Sequence, residues 1–157
     1  MKITDKHVFF WNGIYSQWHL AKMNIDGITF NSCEQYMMFK KALLFEDIEI
    51  ANLILKETNP REQKNWGRKI QNFDKAIWDA NCLSIVYKGN LAKFTQNEKL
   101  KEELLGTGDR FLVEASPLDK IWGIGMADSD KGVDNPENWK GLNLLGQIVT
   151  LVKTQIK

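Results

Sequence analysis

The sequence predicts a single helix-rich α+β domain with a small β-sheet. Helix starts marked by capping residues fill most of the chain, and only a few short runs favour strands. A chain of 157 residues with 43% hydrophobic content can build one ordinary core but not two. Because no linker or low-complexity tract interrupts the chain, we expect residues 1–157 to form one compact domain.

The composition limits the classes of function. With 21 Lys and Arg against 20 Asp and Glu, the chain lacks the net basic charge typical of broad nucleic-acid binding, although a local basic groove stays possible. Cys33, Cys82, His7 and His19 show no metal-ligand spacing, so we expect neither a metal nor a cofactor. No N-terminal targeting pattern or membrane-length apolar run is present, which predicts a cytoplasmic protein with no membrane partner.

Three segments have the composition of strands. His7 to Trp11 is a β-prone run that Asn12-Gly13 ends. Met23 to Phe30 places Asp-Gly between two short extended pieces, which is typical of a tight hairpin. Phe111 to Ala115 is short and β-prone and precedes Ser-Pro, so we expect another strand there.

Capping signals predict a series of helices. Ser32 followed three residues later by Gln35 is a capping-box pattern, so a helix should begin there and run to about Leu44. The other expected helices are Asp47 to Lys56, Pro60 to Lys69 after Asn59, one from Asp74 that breaks near Gly89 before Leu91 to Phe94, Asn97 to Leu105 with Gly106 as its cap, and Leu142 to Ile156 entered through Gly141 and Asn143.

Two segments suggest a functional site. In the first helix, Glu34 and Lys41 should project from one face about 10 Å apart, with Met38 between them, while Tyr36, Phe39 and Leu43 turn to the core. Such a pair could grip and protonate a polar ligand; the alternative is that both charges simply face water. The second segment, Pro117 to Trp139, is a long connection rich in Gly, Asp and Asn, and connections of this length are usually functional or disordered.

Four fragments together resemble the NADAR family, also called YbiA-like. They are Ser32-Cys33-Glu34-Gln35-Tyr36 with Lys41, then Leu112-Val113-Glu114-Ala115-Ser116, then Asp119 with Trp122-Gly123-Ile124-Gly125, and finally Trp139 to Gly146. The resemblance runs from about Phe9 to Val152. It implies a YbiA-like α+β domain that hydrolyses N-glycosidic bonds of ribosyl compounds.

The resemblance also implies the substrates and two groups of residues. The substrates would be phosphoribosylamino-pyrimidine intermediates of riboflavin synthesis, or ADP-ribose linked to guanine in DNA. Glu34 corresponds to the acidic residue of a Glu-His-Tyr motif and Lys41 to its lysine, while Asp119 and Trp122 match an Asp-x-x-Trp-Gly segment. The chain differs from the family pattern by Gln35 in place of His, and by Ser16-Gln17-Trp18 in place of Ser-Asn-Phe.

Cleavage of a ribosyl C–N bond needs carboxylates, because positive charge develops on the sugar while the leaving nitrogen takes a proton. We expect Glu34 and Asp119 to supply them, with Lys41 gripping a phosphate or hydroxyl, and all three to line one pocket with Trp122. The remaining expected substrate-binding residues are Trp18 and Trp78 as stacking rings, Gly123 and Gly125 as points of close backbone approach, and Glu114 and Asn143. For Trp78, packing in the core is the alternative.

A non-catalytic module that binds a nucleotide or ADP-ribose is the competing hypothesis. The same lysine, tryptophan and glycine residues would serve such a binder. It would have no need for Glu34 and Asp119 at one point, so the carboxylate pair distinguishes the two functions.

Overall fold

A computed structural model describes residues 1–157, and its six helices and five short strands confirm the α+β class. The elements in chain order are β1 (Lys2–Ile3), β2 (His7–Phe10), β3 (Met23–Ile25), β4 (Ile28–Phe30), α1 (Cys33–Leu44), α2 (Ile48–Lys56), α3 (Pro60–Gly67), α4 (Lys75–Thr95), α5 (Glu98–Leu105), β5 (Phe111–Glu114) and α6 (Leu144–Gln155). Residue contacts divide the chain into a sheet unit, residues 1–16 with 98–157, and a helical unit, residues 17–97.

The sheet unit contains three strands in the order β1-β2-β5. β1 pairs antiparallel with β2, and β2 pairs parallel with β5, with His7 opposite Phe111. The two strands predicted here are confirmed, whereas β1, with only two residues, is too short to produce a sequence pattern. Helix α6 packs against β5, and a core lies around Phe9, Val113 and Ile124, each completely buried.

The helical unit is built around α1, which contacts α2, α3 and α4. The predicted hairpin is confirmed as β3 and β4, and its turn uses Asp26 and Gly27 at φ 52° and 83°. Tyr36 and Phe39 are buried against Phe30, with ring centroids 5.1 and 5.4 Å away, so this face of α1 is the apolar one, as predicted.

The structure corrects the prediction of a break near Gly89. Helix α4 continues without interruption from Lys75 to Thr95, and Leu91 to Phe94 are its last turn rather than a separate helix. Gly89 is a packing position: a Cβ atom there would lie 2.9 Å from Cδ1 of Tyr36. Because Gly89 has no side chain, α4 can pack closely against α1 at this position without a change in its helical backbone.

Two further details differ from the sequence prediction. Helix α6 begins at Leu144, because Asn143 adopts a left-handed conformation with φ 54° and so ends the preceding loop. The long connection from Pro117 to Trp139 contains a single 3₁₀ turn at Pro136–Asn138. None of the helices has both the length and the apolar character that a membrane crossing requires.

Candidate functional site

The start of α1 is fixed by side chains on both sides of Ser32. Its Oγ accepts a hydrogen bond from the backbone N–H of Gln35 at 3.0 Å, which confirms the predicted N-cap. The return bond of the capping box reaches one residue further back, because Oε1 of Gln35 accepts from the backbone N–H of Asn31 at 2.8 Å. Oγ of Ser32 also donates to Oε1 of Gln63 on α3 at 2.8 Å. The first turn of α1 is therefore held rigidly.

Glu34 lies in this first turn and is buried, with only 3% of its surface exposed. Its backbone N–H donates to the carbonyl oxygen of Gln17 at 3.0 Å. The alternative in which the Glu34 charge simply faces water is therefore wrong. A carboxylate that is shielded from water interacts strongly with nearby charge, because the effective dielectric constant around it is low.

Lys41 shares this side of α1 with Glu34. Burial lowers the pKa of the Lys41 ammonium, the Glu34 carboxylate acts against that shift, and Arg68 reinforces it. The Nζ atom lies 4.8 Å from the ring centroid of Phe73 and 5.4 Å from that of Trp78. Trp78 is half-buried, so part of its ring is available beside the ammonium. We refer to Glu34, Met38 and Lys41 as the Glu34–Lys41 face.

Helix α3 borders the Glu34–Lys41 face. Gly67 of α3 lies directly against Met38, and any side chain at position 67 would overlap the methionine sulfur. Lys64, three residues before Gly67, places Nζ 5.9 Å from the ring centroid of Trp18. Trp18 is the residue after Gln17, whose carbonyl oxygen binds the Glu34 N–H, so its ring belongs to the same neighbourhood.

A buried polar cluster lies around the carbonyl partner of Glu34. The amide of Asn90 on α4 donates to Oε1 of Gln17 at 2.7 Å, while Nε2 of Gln17 and Oδ1 of Asn90 have no hydrogen-bond partner. One turn further along α4, burial lowers the pKa of Lys93 to about 8, and the nearby Cys33 acts against that shift. Buried amide atoms without partners are rare in folded proteins.

In the sheet unit, Asp119 organises the loop after β5. Its Oδ1 accepts hydrogen bonds from the backbone N–H groups of Ile121 and Trp122, both at 2.8 Å, and its own N–H donates to Oγ of Ser116 at 3.3 Å. One carboxylate oxygen of Asp119 therefore holds the loop that carries Trp122.

Asn143 connects this loop to β5. Its Oδ1 accepts from the backbone N–H of Glu114 at 2.9 Å, and its Nδ2 donates to the carbonyl oxygen of Leu112 at 3.1 Å. Its backbone N–H donates to the carbonyl of Gly123 at 3.0 Å. Gly125 adopts φ 66°, a left-handed conformation that favours glycine, and its N–H donates to the Asp119 carbonyl at 3.0 Å.

The structure thus gathers the predicted site residues into two groups. Glu34, Lys41, Trp18 and Trp78 lie in the helical unit; Asp119, Trp122, Gly123, Gly125, Glu114 and Asn143 lie in the sheet unit. The convergence of Glu34 with Asp119 and Trp122 stays a prediction. No group of three or more His, Cys, Asp or Glu side chains is arranged to hold a metal ion.

Sequence reasoning assigned no role to Lys64, Arg68, Asn90 or Lys93. Lys64 and Arg68 could have been recognised from their spacing: they are four residues apart in a short polar helix, and such residues are neighbours on a helix surface. No comparable pattern marks Asn90 and Lys93, which lie inside a long, mostly apolar helix.

Known proteins resemble this chain over nearly its whole length. The model of the NADAR domain family matches residues 6–157. N-glycosidase R617 of Acanthamoeba polyphaga mimivirus is 42% identical over 166 residues, which cover 97% of both chains. Riboflavin biosynthesis protein VVA0006 of Vibrio vulnificus is 23% identical over 160 residues, which cover 99% of this chain and 40% of that protein.

A solved structure has the same fold. The NMR structure of the E. coli protein YbiA matches 98% of this chain and 86% of its own, with a TM-score of 0.79 and 24% sequence identity. The family model and the mimivirus relative both cover far more of the chain than any local motif does. The expected family is therefore confirmed: the chain belongs to the NADAR family.

Proposed function

We propose that this protein hydrolyses the N-glycosidic bond between a ribosyl group and a nitrogenous base, with Glu34 as the carboxylate beside the reacting carbon. The observation that carries the proposal is the burial of Glu34, 3% exposed, on the side of α1 that also holds the Lys41 ammonium. The mimivirus relative, named N-glycosidase, supports the reaction class.

In this reaction the bond between C1 of the ribosyl group and the base nitrogen breaks, and water adds to C1. Positive charge develops on the sugar, the attacking water loses a proton, and the leaving nitrogen gains one. In its carboxylate form, which a position in the first turn of α1 favours, Glu34 suits stabilisation of the cationic sugar and acceptance of the proton from water. We assign the proton donation to the leaving nitrogen to Asp119, and the binding of a substrate phosphate or hydroxyl to Lys41.

Two substrate classes fit this chemistry. The first is the set of phosphoribosylamino-pyrimidine intermediates of riboflavin synthesis, and the Vibrio vulnificus relative, named a riboflavin biosynthesis protein, supports it. The second is ADP-ribose linked to guanine in DNA. Both carry a ribosyl C–N bond and phosphate close to the sugar, so both need a carboxylate and a cation in one site.

The test is to incubate the purified protein with each substrate and to identify the products by mass. Release of ribose 5-phosphate or of ADP-ribose identifies the substrate class. A non-catalytic binding module would bind one of these compounds and leave its C–N bond intact over hours. That outcome would refute the proposed hydrolysis.

A further inference from the structure

Helix α3 carries two cations at the border of the Glu34–Lys41 face. Lys64 and Arg68 are four residues apart, so their Cβ atoms lie about 5–6 Å from each other on one side of the helix. Lys64 is half-buried and Arg68 is exposed. We call this pair the α3 cation pair.

Two contacts fix the position of the α3 cation pair. Gln63 is completely buried and accepts the hydrogen bond from Ser32 Oγ, and Gly67, one turn later, lies against Met38. Lys64 and Arg68 each follow one of these contact residues, so they stand about 100° round the helix, at the border of its contact with α1. The packing of α3 on α1 therefore fixes the backbone of both residues beside the Glu34–Lys41 face.

The two residues of the α3 cation pair form no ion pair. The five ion pairs of the structure involve neither Lys64 nor Arg68 nor Lys41. Arg68 is close enough to Lys41 to disfavour its charged form. Lys64 and Arg68, two cations in no ion pair, form a place where an anion would bind favourably, because the anion offsets their positive charge and that of Lys41 nearby.

The ring of Trp18 supplies an apolar wall beside these cations. It is 39% exposed and lies 5.9 Å from Nζ of Lys64. The site thus combines positive charge, an aromatic surface and the buried Glu34 carboxylate within one unit of the fold. A sugar phosphate matches this combination better than a free inorganic anion, because its ribose can contact the ring while its phosphate meets the cations.

We propose that the α3 cation pair is the phosphate-binding subsite for a ribosyl substrate phosphorylated at C5, and that it selects phosphorylated over unphosphorylated ribosyl compounds. The proposal rests on the function proposed above for its substrate. The subsite itself binds a phosphate ester whether or not the bond at C1 is cleaved, so binding and catalysis test it separately.

The binding test uses calorimetry with ribose, ribose 5-phosphate and ADP-ribose. We expect both phosphorylated ligands to bind the wild-type protein more tightly than ribose, and Lys64→Ala or Arg68→Ala to weaken that binding by about 10- to 100-fold. Tight binding of only one of them identifies whether a monoester or a diphosphate occupies the subsite. Equal affinities for ribose and both phosphates would overturn the proposal.

Lys69→Ala is the matched control. It removes the same charge one residue from Arg68, but Lys69 lies beyond the end of α3, with Nζ 4.5 Å from the Trp66 ring centroid. Thermal melting checks that all three variants are folded. If Lys69→Ala weakened phosphate binding as much as the other two substitutions, the effect would be general electrostatics and the subsite would be refuted.

The catalytic test compares a phosphoribosylamino-pyrimidine with its phosphatase-treated form. Loss of the subsite should raise KM for the phosphorylated substrate and leave kcat nearly unchanged, because the contact is remote from C1. The two forms should then be cleaved with similar efficiency. If the wild-type protein cleaves the phosphorylated and the phosphatase-treated substrate equally well, the subsite alone is refuted. If it binds phosphorylated ligands but cleaves neither substrate, the proposed function alone is refuted.

Discussion

The side chain of Gln35 on α1 donates from Nε2 to the carbonyl oxygen of Ile54 near the end of α2, at a distance of 3.0 Å. The same Nε2 also lies within hydrogen-bond distance of the Leu55 and Glu57 carbonyl oxygens. Together with the bond from the Asn31 N–H, these contacts join the start of α1 to two neighbouring segments. Gln35, the residue next to Glu34, therefore has a structural role: it links the start of α1 to these segments.

Substitution of Gln35 should destabilise the protein. We expect Gln35→Leu to lower the free energy of unfolding by about 2–4 kcal/mol, because it leaves several backbone groups without their partner in the interior. Urea denaturation measures this change. Gln147→Leu, which removes an exposed amide with one bond to Leu142, is the control and should cost far less. Equal effects of the two substitutions would contradict the assignment.

Glu34→Gln tests the proposed chemistry directly. The amide keeps the size of the side chain but cannot accept a proton or carry the charge that opposes the cationic sugar. We expect the turnover number to fall by a factor on the order of 10² to 10⁴, with a much smaller change in ligand affinity. Glu62→Gln, in the first turn of α3 and exposed, is the matched control. A folded Glu34→Gln protein with wild-type turnover would remove Glu34 from the mechanism.

Asp119 has a structural and a proposed chemical role that two substitutions can separate. Asn keeps an oxygen that can accept from the Ile121 and Trp122 N–H groups, so Asp119→Asn should change stability by less than about 0.5 kcal/mol. Asp119→Ala loses both bonds and should cost about 1–2 kcal/mol. If Asp119 protonates the leaving nitrogen, both variants lose turnover by at least about 10²-fold.

Kinetic assays and chemical denaturation on the same preparations distinguish these roles. Full turnover in Asp119→Asn would assign Asp119 to the loop alone. Unchanged stability in Asp119→Ala would instead contradict the role of its two hydrogen bonds in holding the loop.

Lys93 should make stability depend on pH in the alkaline range. Burial lowers the pKa of Lys93 to about 8 in the folded protein, whereas the unfolded chain holds that proton up to about 10.5. Between these values the unfolded state binds more protons, so this lysine makes the free energy of unfolding rise with pH, by up to about 1.4 kcal/mol per pH unit. Below pH 8 the buried charge is destabilising and this gain is absent.

The comparison of wild type with Lys93→Met isolates this contribution. The difference in unfolding free energy between the two proteins should change steadily above pH 8. Cys33, whose pKa burial raises to about 11, interacts with Lys93 and acts in the opposite direction above pH 9, so the change between pH 8 and 9 reports Lys93 itself. Lys56→Met, an exposed position, controls for the loss of one positive charge. A difference that stays constant from pH 7 to 10 would contradict the prediction.

The sequence predicts most elements because their signals are local. The caps at Ser32, Asp47 and Asp74 each accept the hydrogen bond that their side chains suggest, since capping depends only on the next three residues. Gly89 misleads for the opposite reason. Its role depends on Tyr36, more than fifty residues earlier in the chain, and no local pattern carries that information.

For the site, the sequence likewise predicts the local arrangement but not the tertiary contacts. Helical periodicity places Glu34 and Lys41 on one face, but it does not show whether that face is buried. Burial of Glu34 depends on the loop that contains Gln17, and the position of Lys64 depends on the packing of Gly67 on Met38. Such tertiary contacts have no signature in a single sequence.

The contact between Gly67 and Met38 makes the packing of α3 on α1 depend on the chemical state of the Met38 sulfur. Conversion of the Met38 thioether to a sulfoxide adds an oxygen atom and a strong dipole to the sulfur. The buried sulfur already lies against α3 at Gly67, so an oxygen added on that side would collide with the helix. We therefore expect oxidation of Met38 to loosen the packing of α3 on α1, and with it the position of Lys64 and Arg68.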